Sequence, residues 1–149
     1  MKALLQRTTG ASVSTFSAEI GRIAHGIVVL LGIEKQDSEN TADKCLTKIL
    51  NYRIFSDDAG KMNLSTRDIG ADLLIVSQFT LAADTRKGLR PGFSSAAAAL
   101  QAKALYEYFI DQARELTAES ESKIATGSFG ADMQVSLVND GPVTFLLEF

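Results

Sequence analysis

With 149 residues, 46% of them hydrophobic and 22% charged, the chain has the size and composition of one ordinary globular domain able to bury a core. Its net charge of −3 argues against a nucleic-acid binder that relies on an overall basic surface, and no apolar run approaches the about 18 residues that cross a bilayer. A single cysteine, Cys45, rules out an internal disulfide, and Met1 to Arg7 has neither the apolar region nor the cleavage site of a signal peptide, so the reducing cytoplasm is the expected compartment.

Lys2 to Phe16 contains alternating stretches such as Ala11-Ser12-Val13-Ser14, the pattern of a half-buried strand, and Glu19 to Ile23 reads as its hairpin partner. Ile27 to Ile33 is continuously apolar and rich in β-branched residues, as a strand buried on both faces should be. After a polar loop over Glu34 to Asn40, residues Ala42, Cys45-Leu46 and Ile49-Leu50 recur at helical spacing, with Ser38 or Asn40 placed to cap. Arg53 to Phe55 is a short strand followed by a turn at Ser56 to Gly60. Asp72 to Leu81 is a second buried strand, and Ala82 to Ser95 a long loop of the kind that often carries function.

Ala96 to Leu116 is expected to form the longest helix, with a stripe of Leu100, Ala104-Leu105, Tyr108-Phe109 and Leu116. Three strands, Ile124 to Phe129, Met133 to Val138 and Val143 to Phe149, close the chain. No repeat or linker divides residues 1–149, so one domain is expected. The fold class is α+β, with two helices packed on one or two mainly antiparallel β layers.

Several chemistries lack their parts. His25 is the only histidine and no Ser or Cys partner can be set beside it. There is no Cys pair, His pair or acidic calcium loop, so neither metal nor cofactor is expected. Cys45 sits on the apolar face of a helix, as an inert buried thiol does.

Two segments stand out. Ser77-Gln78-Phe79-Thr80 puts polar side chains at the end of an apolar strand, where it reads either as a strand leaving the core or as a pocket wall. Gly141-Pro142 separates two strand-like runs; taken alone it reads as an ordinary trans turn, since only roughly 5–6% of X-Pro bonds are cis. Arg86, Lys87 and Arg90 cluster in the long loop, either as a solvated tip or as a local basic patch for nucleic-acid phosphates.

Taken together, Ser77-Gln78-Phe79-Thr80-Leu81, Arg90-Pro91-Gly92-Phe93-Ser94, Asp132-Met133-Gln134-Val135 and Asn139-Asp140-Gly141-Pro142-Val143-Thr144 resemble the D-aminoacyl-tRNA deacylase family. Gln6-Arg7, Ala11-Ser12-Val13, Tyr52 to Asp57 and Gly60 to Asn63 fit as well, so the resemblance runs from end to end. It implies hydrolysis of the ester of D-aminoacyl-tRNA, and of mischarged glycyl-tRNA, by a homodimer with its sites at the subunit interface. It makes Gly141-Pro142 cis and sends it into the partner's pocket, where its carbonyls receive the substrate ammonium and L-amino acids clash. Arg7 holds that loop, and Phe129 and Met133 line the pocket, although as apolar strand residues they read more simply as core.

The resemblance assigns catalysis to the Ser77, Gln78, Phe79 and Thr80 segment. Main-chain N–H groups near Phe79 and Thr80 stabilise an oxyanion while water attacks and the 2′-hydroxyl assists; Thr80 as a covalent nucleophile is the second reading. Arg86, Lys87 and Arg90 are the expected tRNA contacts, with Lys2, Arg22 and Lys61 next. A non-catalytic RNA- or nucleoside-binding module on the same fold is the main rival. A related deacylase with a trans Gly-Pro bond that accepts L-alanine is nearer, and Arg7 argues against it.

Overall fold

The computed structural model describes residues 1–149 apart from Ser17 and Lys87. In chain order the elements are β1 (Lys2–Thr15), β2 (Ala18–Ile23), β3 (Gly26–Gly32), α1 (Glu39–Asn51), β4 (Phe55–Ser56), β5 (Met62–Leu64), α2 (Thr66–Ile69), β6 (Asp72–Ser77), a 3-10 turn (Phe79–Ala82), α3 (Ala99–Leu116), β7 (Ile124–Thr126) and β8 (Gln134–Glu148). The architecture is the expected α+β. A six-stranded sheet runs β2-β1-β3-β6-β7 with β8 on β1, and β4 and β5 form a separate ribbon. Strand β1 is antiparallel to β2, β3 and β8, whereas β3–β6 and β6–β7 are parallel. The short helix α2 joins the two expected ones.

β3 and β6 read as continuous apolar runs because they lie inside the sheet with both faces covered. Alternate residues feed two cores. Ile27, Val29, Leu31, Leu73 and Ile75 pack under Leu46, Ile49 and Leu50 of α1 and Leu105 and Phe109 of α3. Val28, Leu74 and Val76 point the other way, onto Ala11, Val13 and Ile23, because the β1–β2 end of the sheet folds back over that face. Helix α1 buries the face its spacing predicts. Ser38 and Thr41 form a reciprocal cap at its start, and burial pushes the Cys45 thiol up to about 12.

The structure corrects the expected boundaries where backbone geometry overrides pattern. Strand β6 stops at Ser77, so Gln78, Phe79 and Thr80 do not alternate along a strand; the apolar run continues as a 3-10 turn. Helix α3 begins at Ala99 rather than Ala96, since Ala96 forms an antiparallel bridge with Glu34 and the Ala97 amide donates to the Ile33 carbonyl (3.0 Å). Its buried face is Ala102, Leu105, Tyr106, Phe109, Ile110 and Ala113, which leaves the expected Leu100 87% exposed and Leu116 at the surface. β4 covers Phe55–Ser56 in place of Arg53 to Phe55, and β7 ends at Thr126, leaving Phe129 in a connection.

The expected pair of closing strands is one strand, β8, with a bulge inside it. Gln6 faces Thr144 and Thr8 faces Asn139, so Arg7 alone opposes the four residues Asp140 to Val143. The Gly-Pro segment is therefore an extrusion from the sheet and not a turn between two strands.

Candidate active site

A cavity of about 550 Å³ opens where β6 ends. Its near wall is Ser77, Gln78 and Phe79; Phe129 and Met133, from the connection between β7 and β8, form part of the lining, as do Ala96 and Ala97 before α3. The near wall is set by backbone. The Gln78 amide donates to the Leu31 carbonyl (2.8 Å), keeping the chain on β3 one residue past the strand. Gln78 then turns out of extended geometry (φ −143°, ψ 81°) into the 3-10 turn. Gly32 permits this: a Cβ there would lie 2.9 Å from Leu81 Cβ and 3.1 Å from the Gln78 carbonyl oxygen.

Within that turn, the Leu81 amide donates to the Gln78 carbonyl at 3.2 Å. The amides of Phe79 and Thr80 precede that bond and make no 3-10 hydrogen bond of their own. The Gln78 side-chain amide donates to the Thr80 hydroxyl at 2.6 Å, and Thr80 lies just outside the lining. His25 is far from this chemistry in role, its ring edge-on to Phe55 at 5.1 Å. Asp132 is the one carboxylate of the lining, and it is solvent-exposed. Among the described residues, no three His, Cys, Asp or Glu side chains converge as a metal site requires.

Tyr106 carries no functional signal in the sequence, because as an apolar-stripe neighbour it looks like core. Its hydroxyl donates to the carbonyl of Ile75 (2.8 Å) and reaches that of Gly127 (3.4 Å), tying together the two backbones that lead to Ser77 and Phe129. Burial pushes this phenol up to about 12, so it stays a donor. Its ring lies 5.8 Å from that of Phe129.

A second cluster surrounds the β8 bulge. Gly141-Pro142 is cis, against the residue-level expectation of trans and in line with the resemblance. Arg7 donates through Nε to the Asp140 carbonyl (3.2 Å) and pairs with its carboxylate (2.9 Å), while Nη1 donates to the Ile54 carbonyl (2.7 Å). The neck of the bulge is closed by the Asn139 amide donating to Thr144 Oγ1 (2.9 Å) and by Val143 N–H donating to Asn139 Oδ1 (2.8 Å). Gly141 and Pro142 are exposed, and neither they nor Arg7 line the cavity of the same chain. Ile54, whose carbonyl completes the Arg7 clamp, carries no signal in the sequence because only its backbone takes part.

The basic loop is less cationic than its sequence reads. Arg86 is held by both oxygens of Asp84 at 2.9 Å, and this hydrogen bonding drives the Asp84 carboxyl well below the usual range. Arg90 is exposed and makes no ion pair among the described residues. Lys87, expected beside them, lies outside the described residues.

The family model described as D-Tyr-tRNA(Tyr) deacylase matches residues 4–148. The chain is 59% identical over 147 residues to the D-aminoacyl-tRNA deacylase of Pseudoalteromonas translucida (strain TAC 125), with 99% of each chain covered. It is 56% identical over 148 residues to the D-aminoacyl-tRNA deacylase of Stutzerimonas stutzeri (strain A1501), again covering 99% of both. Among solved structures, the c-Myc DNA unwinding element binding protein superposes with a TM-score of 0.93 at 43% identity, over 100% of this chain and 99% of that one. A probable eukaryotic D-amino acid tRNA deacylase superposes with a TM-score of 0.86 over 98% and 97%, a likeness of fold at 17% identity.

Proposed function

The chain belongs to the D-Tyr-tRNA(Tyr) deacylase family, and we propose that the cavity beside Ser77 to Thr80 receives the aminoacylated terminal adenosine of a tRNA and hydrolyses its ester there. The activity is D-aminoacyl-tRNA deacylation, a carboxylic ester hydrolysis, which sets aside a non-catalytic module on this fold. The observation that carries the proposed mechanism is the pair of Phe79 and Thr80 amides left without a 3-10 partner beside the cavity. Water adds to the ester carbonyl, and the oxyanion accepts hydrogen bonds from those amides. The bond to the ribose oxygen then breaks, that oxygen takes up a proton with the 2′-hydroxyl assisting, and free amino acid and tRNA leave.

Thr80 is the weaker candidate for nucleophile, since its hydroxyl accepts a hydrogen bond from the Gln78 side-chain amide and no base is hydrogen-bonded to it among the described residues. Thr80→Ala is therefore expected to keep most of the rate of D-aminoacyl-tRNA deacylation. A loss of roughly 10⁴-fold with a trapped acyl-enzyme would establish the covalent route instead. Asp132→Asn in the same assay is the control for general-base catalysis.

Selectivity is assigned to a homodimer in which Gly141-Pro142 of one subunit enters the cavity of the other. Its support is that the segment is exposed and outside its own chain's cavity, on a strand that pairs only with β1 among the described residues and leaves Val138 63% and Leu146 52% exposed. The substrate ammonium donates to the carbonyls of the bulge, an L side chain collides with them, and glycine, lacking one, is accepted with the D-amino acids. Deacylation of D-, L- and glycyl-tRNA tests this: hydrolysis of L-aminoacyl-tRNA at the D rate would refute it. The cytoplasm, where charged tRNA is used, is the proposed compartment.

The basic loop is proposed to meet phosphates of the acceptor end. Replacing Arg86, Lys87 and Arg90 together by Ala is expected to weaken binding of a non-hydrolysable D-aminoacyl-tRNA and to flatten its log–log salt dependence by roughly one unit for each phosphate no longer neutralised. Selectivity between D and L should stay as it was. An unchanged slope would move the interaction to Lys2, Arg22 or Lys61.

A further inference from the structure

The loop after the 3-10 turn is pinned at its base. Asp84 and Gly92 exchange two main-chain hydrogen bonds (2.7 and 3.1 Å), the Ser95 hydroxyl donates to the Ala82 carbonyl, and the Ala96 amide donates to the Phe93 carbonyl (3.1 Å). That closure sets the Phe93 ring against Phe79, with centroids 5.0 Å apart and planes tilted by 54°. Phe79 lines the cavity and Phe93 does not, so the pair extends from the cavity outward. Both rings face solvent, Phe79 59% and Phe93 39% exposed. Two adjacent phenyl rings in water forgo the burial that would stabilise them and mark a recognition surface.

The chemistry around the pair selects its ligand. The loop that carries Phe93 also carries Arg90, which makes no ion pair among the described residues. Flat π faces, on a loop that also carries a guanidinium, suit an unpaired nucleobase and its phosphate. A tRNA reaches the cavity by its single-stranded 3′ end, whose terminal adenosine is preceded by unpaired cytidines.

We propose that Phe79 and Phe93 form a stacking platform for the unpaired nucleotide preceding the esterified adenosine, with Phe93 as its outer, substrate-positioning ring. The proposal rests on the reading that the cavity takes the terminal adenosine. The platform holds the strand so that the ester meets the amides of Phe79 and Thr80, and it is indifferent to which amino acid is carried.

The test uses two non-hydrolysable amide-linked analogues, a 3′-D-aminoacylamino-adenosine and the same group on a cytidine-cytidine-adenosine trinucleotide. The wild-type protein binds the trinucleotide more tightly. Phe93→Ala is expected to weaken trinucleotide binding by about 5- to 150-fold, the range of one base–aromatic stack, while the nucleoside analogue binds as before. Phe93→Trp restores the trinucleotide affinity.

Equal loss for both analogues would overturn the platform, because Phe93 would then only shape the cavity through Phe79. No loss for the trinucleotide would overturn it as well, and so would dissociation of oligomers by Phe93→Ala in sedimentation, which would make the pair a subunit contact. Failure of the wild-type protein to bind the nucleoside analogue would overturn the underlying reading of the cavity, and with it the platform. That result is distinguishable because it precedes any substitution.

Discussion

Arg7→Ala is expected to abolish most of the discrimination between D- and L-aminoacyl-tRNA, lowering the ratio of the two kcat/KM values by on the order of 100-fold. The reason is the asymmetry of the β8 bulge: four residues of β8 stand opposite Arg7 alone, with no ladder bonds to hold them. The guanidinium substitutes for those bonds. It grips Asp140 through Nε and is itself anchored at the Ile54 carbonyl through Nη1. Removing it leaves the carbonyls of Asp140 and Ile54 without their side-chain donor and the partly exposed Asp140 carboxylate without its ion pair.

Arg7→Lys should not rescue selectivity, since one ammonium on a flexible stem cannot reach both anchors in fixed directions. Gly141→Ala approaches the same device from the other side. Gly141 has φ +124°, and a Cβ would lie 2.7 Å from Val143 Cγ2 and 3.1 Å from an Arg7 Nη atom. Both variants should also slow D-aminoacyl-tRNA turnover less than they raise L turnover. Steady-state kinetics with matched D- and L-charged tRNA decide it; an Arg7→Ala enzyme that still rejects the L form would place chiral selection elsewhere.

How far the sequence reaches is visible in the same residues. β1, β3 and α1 follow from spacing alone: α1 answers to one core face, β3 to two, and β1 alternates in stretches although Ala3 and Leu5 feed one core and Ala11 and Val13 the other. The Ser77 to Thr80 segment stands out for its polar side chains, yet the feature on which the proposed chemistry rests, two amides without a 3-10 partner, belongs to the backbone. No periodicity records a strand that breaks into a 3-10 turn one residue after Ser77; that break depends on Gly32, remote from it in sequence. Arg7 emerges only through resemblance, and Gly141-Pro142, which stands out between two strand-like runs, reads as an ordinary trans turn without it; their contact is long-range in the chain. Tyr106 and the carbonyl of Ile54 leave no trace in the pattern, because the first is camouflaged in an apolar helix face and the second acts only through its backbone. The Arg86 cluster is weaker than its sequence suggests, since proximity of cations along the chain does not show that Asp84 holds one of them.

Gly32→Ala is expected to lower kcat for D-aminoacyl-tRNA deacylation by on the order of 10- to 100-fold with a smaller change in KM. The added methyl meets Leu81 Cβ at 2.9 Å and the Gln78 carbonyl at 3.1 Å. Neither contact can be relieved by rotating a side chain, so the turn that carries the Phe79 and Thr80 amides must move by a few tenths of an ångström or more. Displacement of that size barely affects binding of an adenosine held by the rest of the cavity, but it misaligns donors whose value lies in meeting charge only as it develops. Two other glycines separate this effect from general damage. Gly10→Ala meets nothing within 4 Å and should leave both rate and stability nearly unchanged. At Gly26 a methyl would sit 2.1 Å from the Asp72 carbonyl oxygen, on the parallel strand itself, and the substitution should cost on the order of 4 kcal/mol or more and fail to give folded protein. If Gly32→Ala melts like the Gly10 variant yet turns over D-aminoacyl-tRNA at the wild-type rate, the position of the turn is immaterial and the amides of Phe79 and Thr80 are not the oxyanion donors.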